Sequence, residues 1–447
     1  MFTIIALSFS LILRQLPSWD MGEIHNLAKH YATGSEISEF TARYLYMYPN
    51  NVMLTAIYTV IFAIFNFLHL NDFVLIATIF NALLISTSVA LMYYITRKLF
   101  SNEKALSLLC ICLLTTPFYL YGAIYYADTF SMFLGLLIVA LYIFINTNKN
   151  MKKVKKVFLQ ILLGLIIIIA TKIKITTFFI IIAYGVYKLI KGEVLLFIKN
   201  NWVVFLSSII FLLIINFVIN NIVLHNKEWL SEEKLPVEHW ISMGLQGNGS
   251  YNDEDWKWIK QYPTYEQRKI AAREHIKERL QQYDTNTFFK HLNQKLKWAW
   301  TDGSFFAAEK LRRGPVDTDS TLLEFIMPDG KYSLYYKYIP QTMHFSMLLF
   351  MLIGLLNNIK DRNYSNKNII FYILFFGNVI FFLLWENRSR YIIPILPFLM
   401  IAQLDGIDFI VNKIKKKGKN EKDIFCHTNV LRGTSSRRML QKGKDGM

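Results

Sequence analysis

Residues 52–70 read VMLTAIYTVIFAIFNFLHL. The run is long enough to cross a bilayer, since a helix rises about 1.5 Å per residue against ~30 Å of hydrocarbon. Whether it crosses decides the topology of the chain. Further apolar segments lie at 2–13, 73–96, 105–122, 129–147, 157–171, 174–190, 202–224, 342–356, 368–385 and 391–411. If all of them cross from a cytoplasmic N-terminus, Arg97-Lys98 and the run Lys149-Asn150-Met151-Lys152-Lys153-Val154-Lys155-Lys156 face outward. That opposes the tendency of Lys and Arg to stay in cytoplasmic loops. If 52–70 lies in the interface or re-enters, the loops 97–104, 148–156, 188–200 and 357–367 all turn cytoplasmic, and each is rich in Lys or Arg. So does the tail that begins Lys413-Ile414-Lys415-Lys416-Lys417. This reading predicts about ten spans with both termini inside.

Composition agrees with a membrane protein. Of 447 residues, 53% are hydrophobic and 18% charged, where soluble domains carry about 25% charged residues. The net charge of +17 is read as cytoplasmic loop charge rather than as a nucleic-acid surface. Cys110, Cys112 and Cys426 have no spacing that suggests a disulfide framework or a metal site. The first segment lacks a basic leader and a small-residue cleavage site, so it reads as a short first helix and not as a signal peptide.

The expected organisation is an all-α polytopic membrane protein. Residues 1–224 form an N-terminal transmembrane module whose first outer loop, 14–72, carries juxtamembrane helices. Residues 225–341 form one large outer loop, 342–412 the last spans, and 413–447 a basic, disordered cytoplasmic tail. In the first outer loop, Ile24, Leu27, Ala28 and Tyr31 recur at helical spacing, the pattern of a helix lying on a membrane surface.

Chemistry-bearing residues gather in the predicted outer regions. Asp20 follows the first span and suits a general base acting on a hydroxyl. Asp20 with Glu23 three positions on also fits a helix cap with its partner. Tyr48, Asn50 and Asn51 place aromatic and amide groups where a sugar could stack and hydrogen-bond, or where an interfacial aromatic belt would sit. Asp128 opens a span and reads either as a catalytic carboxylate or as an N-cap. Lys172 and Lys174 lie between two apolar segments. Cations at that depth are costly, and they are functional, paired or snorkelling. Glu386, Arg388, Arg390 and Tyr391 make a tight turn in which guanidinium groups suit phosphate, or in which Glu386 pairs with an arginine. His239, in the large loop, reads as a structural or substrate-contact residue. No nucleophile triad, Walker loop or metal cluster is recognised in the sequence, and dependence on a divalent cation is left open.

Taken in order, these features resemble the GT-C membrane glycosyltransferases over roughly residues 1–412. The nearest branch is the bacterial one related to protein O-mannosyltransferases and lipid A aminoarabinose transferases. The resemblance is carried by Asp20, Tyr48-Pro49, Arg97-Lys98-Leu99-Phe100, Tyr126-Ala127-Asp128, the Lys172/Lys174 turn and Arg388-Ser389-Arg390-Tyr391 before Pro394 and Pro397. Within the large loop, His239, Met243-Gly244-Leu245, Gly249, Tyr251-Asn252 and Asp302-Gly303 look like an uncharacterised group from Gram-positive bacteria. The resemblance implies transfer of a sugar from a polyprenyl-phosphate donor to an extracytoplasmic glycan, teichoic acid-type polymer or protein, with inversion. Asp20 would then be the base, with Glu23 and Asp128 as further acidic candidates. Lys172, Lys174, Arg388 and Arg390 would stabilise the departing phosphate. Two other functions fit the segment pattern, a polymerase or ligase that uses a pyrophosphate-linked glycan, and a transporter. The sequence shows no internal repeat of the kind transporters carry.

Overall fold

The structure, a computed structural model, describes residues 1–362 and 366–416. The expected tail lies outside the described residues from position 417 onward, as does Cys426. Among the described residues helices dominate, and one antiparallel bridge joins Gln15 to Pro315.

Helix α1 spans Phe2–Ile12. Helix α2, Trp19–Thr33, buries Met21, Ile24, Leu27 and Ala28, while Tyr31 stays 56% exposed. The predicted apolar stripe is therefore real but one residue shorter. Gly34, at φ +73°, ends α2 in the left-handed region, where glycine is at home. Helix α3, Glu39–Met47, is capped by Ser38 through the Thr41 amide. Helix α4, Val52–Phe67, packs along α2.

The contacts at the two ends of α4 tie it to the stretch that follows α1. Asn51, at its start, donates to the Tyr44 hydroxyl, which donates to Asp20. Just past its end, Asp72 accepts from Arg14 at 3.3 Å. Both ends are thus tied to the stretch 14–20 where α1 emerges. By length and hydropathy 49–67 is nonetheless long and apolar enough to cross a membrane. Tyr58 and Phe62 are fully buried in the protein core.

Helix α5, Phe73–Leu99, starts with an Asp72 cap and ends on Arg97 and Lys98. Helix α6, Asn102–Leu114, is followed after Thr115 by α7, Thr116–Leu120, and the segment Thr116–Ala123 is bent by 62° from α6. Pro117 lacks the amide that would continue the helix. Helix α8 is Ala127–Thr147 and α9 is Lys153–Ile173. The chain breaks at Lys174 before α10, Phe179–Ile190. Helix α11, Val194–Val218, closes in a π-turn over Ile219–Val223. Among the described residues, six helices are long and apolar enough to cross a membrane, or seven with the bent pair. Three shorter apolar helices add to them, Phe2–Ile12, Ile175–Ile190 and Ile369–Leu384.

The large loop folds into a helical layer. It contains α12 (Lys227–Glu233), α13 (Val237–Gly244), α14 (Asp253–Lys260), α15 (Tyr265–Gln281), α16 (Thr285–Trp300), α17 (Ala307–Leu311) and α18 (Thr321–Ile326). Helix α19, Ser333–Lys360, begins inside the segment read as loop and runs through Pro340. Helices α20, Ile369–Leu384, and α21, Leu396–Ala402, complete the bundle, followed by a helix over 404–416.

Two buried cations hold the layer together. Arg279 pairs with Asp255 at 2.6 Å and also bonds Gln246 and the Ser242 carbonyl. Lys295, fully buried, donates to the carbonyls of Gly244, Leu383 and Trp385 at 2.6, 2.9 and 3.0 Å. Lys295 thereby fastens the outer layer to the end of α20 and sets the turn that follows.

Candidate active site

Asp20 is not the helix cap that its spacing allowed. The cap position of α2 is Ser18, which makes no side-chain capping bond, and Trp19 takes φ +48°. Asp20 sits in the first turn, half-buried, with Oδ1 accepting from the Tyr44 hydroxyl at 3.0 Å. Tyr44 is buried and in turn accepts from Asn51 Nδ2 at 2.6 Å. Asn51 Oδ1 accepts from Asn50 at 3.1 Å and from the Tyr126 hydroxyl at 3.5 Å. Glu23 points elsewhere, toward Thr41 on α3. Burial holds the Glu23 carboxyl above the ordinary range, with the Thr41 bond opposing.

Asp128 is not a cap either. It lies one residue inside α8, 1% exposed, and its carboxylate is taken by two cations from distant segments. Lys174 Nζ bonds Oδ1, and Arg390 Nη1 bonds Oδ2 at 3.2 Å. A carboxylate this deep requires such partners, because unpaired burial of the charge costs several kcal/mol, on the order of 5. The break between α9 and α10 exists where Lys174 reaches this carboxylate.

Lys172 does not join the group. It donates to Asn216 near the π-turn of α11. Residues two apart at a helix end face different ways.

The turn after α20 is a 3-10 turn over Ser389–Ile392. Glu386 makes no arginine pair; its Oε2 accepts from the Tyr391 hydroxyl at 2.7 Å. Tyr391 then supports both cations, with Lys174 4.6 Å and Arg390 4.9 Å from its ring centre. Arg390 also lies over Tyr126 at 5.2 Å and Trp19 at 5.6 Å. The structure therefore gathers Asp20, Asp128, Lys174, Arg390 and Tyr391 from the ends of four helices.

Tyr48 borders the same region. Its ring contacts Tyr44 and Trp240, and its hydroxyl accepts from Trp256 Nε1 at 3.1 Å. Asn50 is exposed beside it. His239 is separate: it is 1% exposed within the outer layer, its Nε2 has no partner, and burial pushes its pKa down to about 4.

Sequence reading missed Lys310 and Arg313 and named Asp302 only within a motif of the large loop. Lys310, on α17, places its ammonium 3.4 Å from the Trp19 ring centre. Asp302 accepts from Ser389 Oγ at 2.7 Å and so joins the large loop to the arginine turn. Arg313 lies within electrostatic reach of Arg388, Arg390 and Asp20. Nothing in the run Ala307-Ala308-Glu309-Lys310 signals burial. Among the described residues, no group of three or more His, Cys, Asp or Glu stands together to hold a metal.

Residues 1–406 match the family described as conserved hypothetical integral membrane protein. No curated protein matches the sequence. Among solved structures the chain is similar to the archaeal oligosaccharyltransferase AglB from Archaeoglobus fulgidus, in complex with an inhibitory peptide and a dolichol-phosphate. That likeness has 11% identity and a TM-score of 0.45, covering 94% of this chain and 51% of the other. The oligosaccharyltransferase of the same organism in its apo form gives 12% identity and 0.45, over 95% and 52%. ArnT from Cupriavidus metallidurans, bound to undecaprenyl phosphate, gives 12% identity and 0.37, over 91% and 76%. The chain spans about half the length of the two archaeal chains it matches.

Proposed function

We propose that this chain, which belongs to the family of conserved hypothetical integral membrane proteins, is an inverting membrane glycosyltransferase of the GT-C type. Its donor is a polyprenyl-phosphate sugar. Its acceptor is a hydroxyl on an extracytoplasmic glycan, teichoic acid-type polymer or protein. It resides in the plasma membrane with both termini in the cytoplasm.

One observation carries the reading. A half-buried carboxylate, Asp20, stands beside a set of cations that outnumbers the acids among them, at a place where several helices end. A transporter needs its ionisable groups along a path through the bilayer. Here they meet at one end of the bundle, which suits interfacial chemistry on a lipid headgroup.

The geometry suggests the following transfer. Asp20 takes the proton of the acceptor hydroxyl as that oxygen bonds to the anomeric carbon. The bond from that carbon to the phosphate oxygen breaks, and its electron pair leaves with the phosphate. Preorganised cations stabilise the charge that develops there. Tyr44 fixes the Asp20 carboxylate, and Asn51 fixes Tyr44 in turn. Tyr48, Asn50 and Tyr391 supply aromatic and amide groups at the rim, where a sugar ring can stack and hydrogen-bond. Asp128 keeps Lys174 and Arg390 in place and does not face the acceptor.

The test is Asp20→Asn in membranes supplied with a labelled polyprenyl-phosphate sugar. Transfer falls at least a hundredfold if Asp20 is the base. Full retained transfer removes it from that role. Transfer only from a pyrophosphate-linked glycan makes the protein a polymerase or ligase instead.

A further inference from the structure

The cations around Asp20 are not equivalent. Lys174 and Arg390 share the Asp128 carboxylate. Lys172 is spent on Asn216. Lys310 and Arg388 have no such partner. Lys310 is 5% exposed, yet its ammonium makes neither a hydrogen bond nor an ion pair among the described residues and rests only on the Trp19 ring. Arg388 makes no hydrogen bond through its guanidinium, its Nε is buried without a partner, and it stacks on Phe306 at 4.8 Å.

The backbone that holds these two groups is strained. Phe305 and Phe306 take φ +52° and +63°, a region that bulky side chains avoid at a cost of about 1–3 kcal/mol each. Asp302 locks the turn: Oδ1 accepts from the Ser304 amide and hydroxyl, and Oδ2 from the Phe306 amide at 2.7 Å and from Ser389 Oγ. One carboxylate thus fixes both Phe306, under Arg388, and the start of α17, which carries Lys310. Gly303 makes the close approach possible, since a Cβ there would meet the Pro340 carbonyl at 2.3 Å.

We propose that Lys310 and Arg388 are the groups that take the donor phosphate, and that the Lys174–Asp128–Arg390 network is the scaffold behind them. This rests on the transferase reading above. Basic groups gathered here with no carboxylate bonded to either imply an anionic ligand, because burying their charge unpaired is expensive. Lys310 faces Arg390 and Arg388 from the turn after α20, Arg313 from its own segment, Asp20 from α2 and Asp128 from α8. Burial, and then the neighbouring arginines, push its pKa down to about 5. So depressed a pKa favours the neutral amine in the empty site, and a phosphate arriving between it and Arg388 favours the protonated one. The empty site avoids one buried charge, and the bound site gains one charge-assisted contact.

The experiment is calorimetric titration of the full-length protein, in lipid nanodiscs at about pH 7.5, with undecaprenyl phosphate in buffers of different ionisation heat. Wild type is expected to bind. Lys310→Met should bind at least about tenfold more weakly and take up about one proton fewer. Lys310→Arg should restore affinity without restoring that proton, which a merely structural lysine would not do. If Lys310→Met fails to fold, Arg388→Gln reads the same loss of affinity. Equal affinity and proton count in wild type, Lys310→Met and Arg388→Gln overturn the proposal and leave the transferase reading standing. A folded wild type that does not bind the lipid at all overturns the transferase reading, and this assignment with it.

Discussion

The Tyr44 hydroxyl donates to Asp20 at 3.0 Å while accepting from Asn51 at 2.6 Å. Tyr44 thus links the Asp20 carboxylate on α2 to the amide that opens α4. Removing only that oxygen should let the carboxylate rotate without emptying the core. Tyr44→Phe is expected to keep near-normal yield and to lower transfer by about tenfold, the worth of one oriented hydrogen bond. Steady-state transfer in membranes, with protein level as control, measures it.

Asp128 is expected to matter for folding first. Asparagine there would leave Lys174 and Arg390 buried without an anion, and breaking such a pair costs about 3–5 kcal/mol. Asp128→Asn should show a marked drop in melting temperature in detergent and little transfer. Adding Lys174→Met to it should recover part of the stability and none of the activity. Paired melting curves of the single and double variants decide this.

Acid should loosen the outer layer. Burial pushes His239, in that layer, down to about 4 from an ordinary value near 6.5, and does the same to His25 on α2. Between those values the unfolded chain binds more protons than the folded one, so stability is fully present above about 6.5 and falls as pH drops toward 4. His239→Gln should flatten that slope. Melting temperatures between pH 7 and pH 4 for the two proteins test it.

If α4 stays at the interface, Asn50 and the acid and cation cluster lie outside the cell. A cysteine placed at Asn50, in a background without the native cysteines, should react with an impermeant maleimide in intact cells. One placed at Lys155 should react only after permeabilisation. The opposite pattern would put the acid and cation cluster on the cytoplasmic face.

Much of this fold could be read from apolar runs and basic loops, because hydrocarbon thickness and loop charge act on local sequence. The expectation that 52–70 does not cross rests on the same loop charges, since one change places every basic loop on one side. Asp20, Asp128, Lys174, Arg390 and Tyr391 stood out as charged or aromatic residues at span ends, and the structure brings them together. Lys172 could have been separated from Lys174 by helix geometry alone. Lys310 could not have been found this way. Its segment reads as an exposed charged helix, and its packing against Trp19, beside a turn that Asp302 ties to Ser389, is not visible in local spacing. The cap reading of Asp20 failed because Tyr44 competes for its carboxylate, a partner that local spacing does not reveal.

The most direct test is a structure of the protein with a polyprenyl phosphate bound. The account predicts phosphate density in hydrogen-bonding reach of Lys310 and Arg388, on the side of Trp19 that faces Asp20. Phosphate density at the opposite end of the bundle, among the loops 97–104 and 188–200, would contradict it.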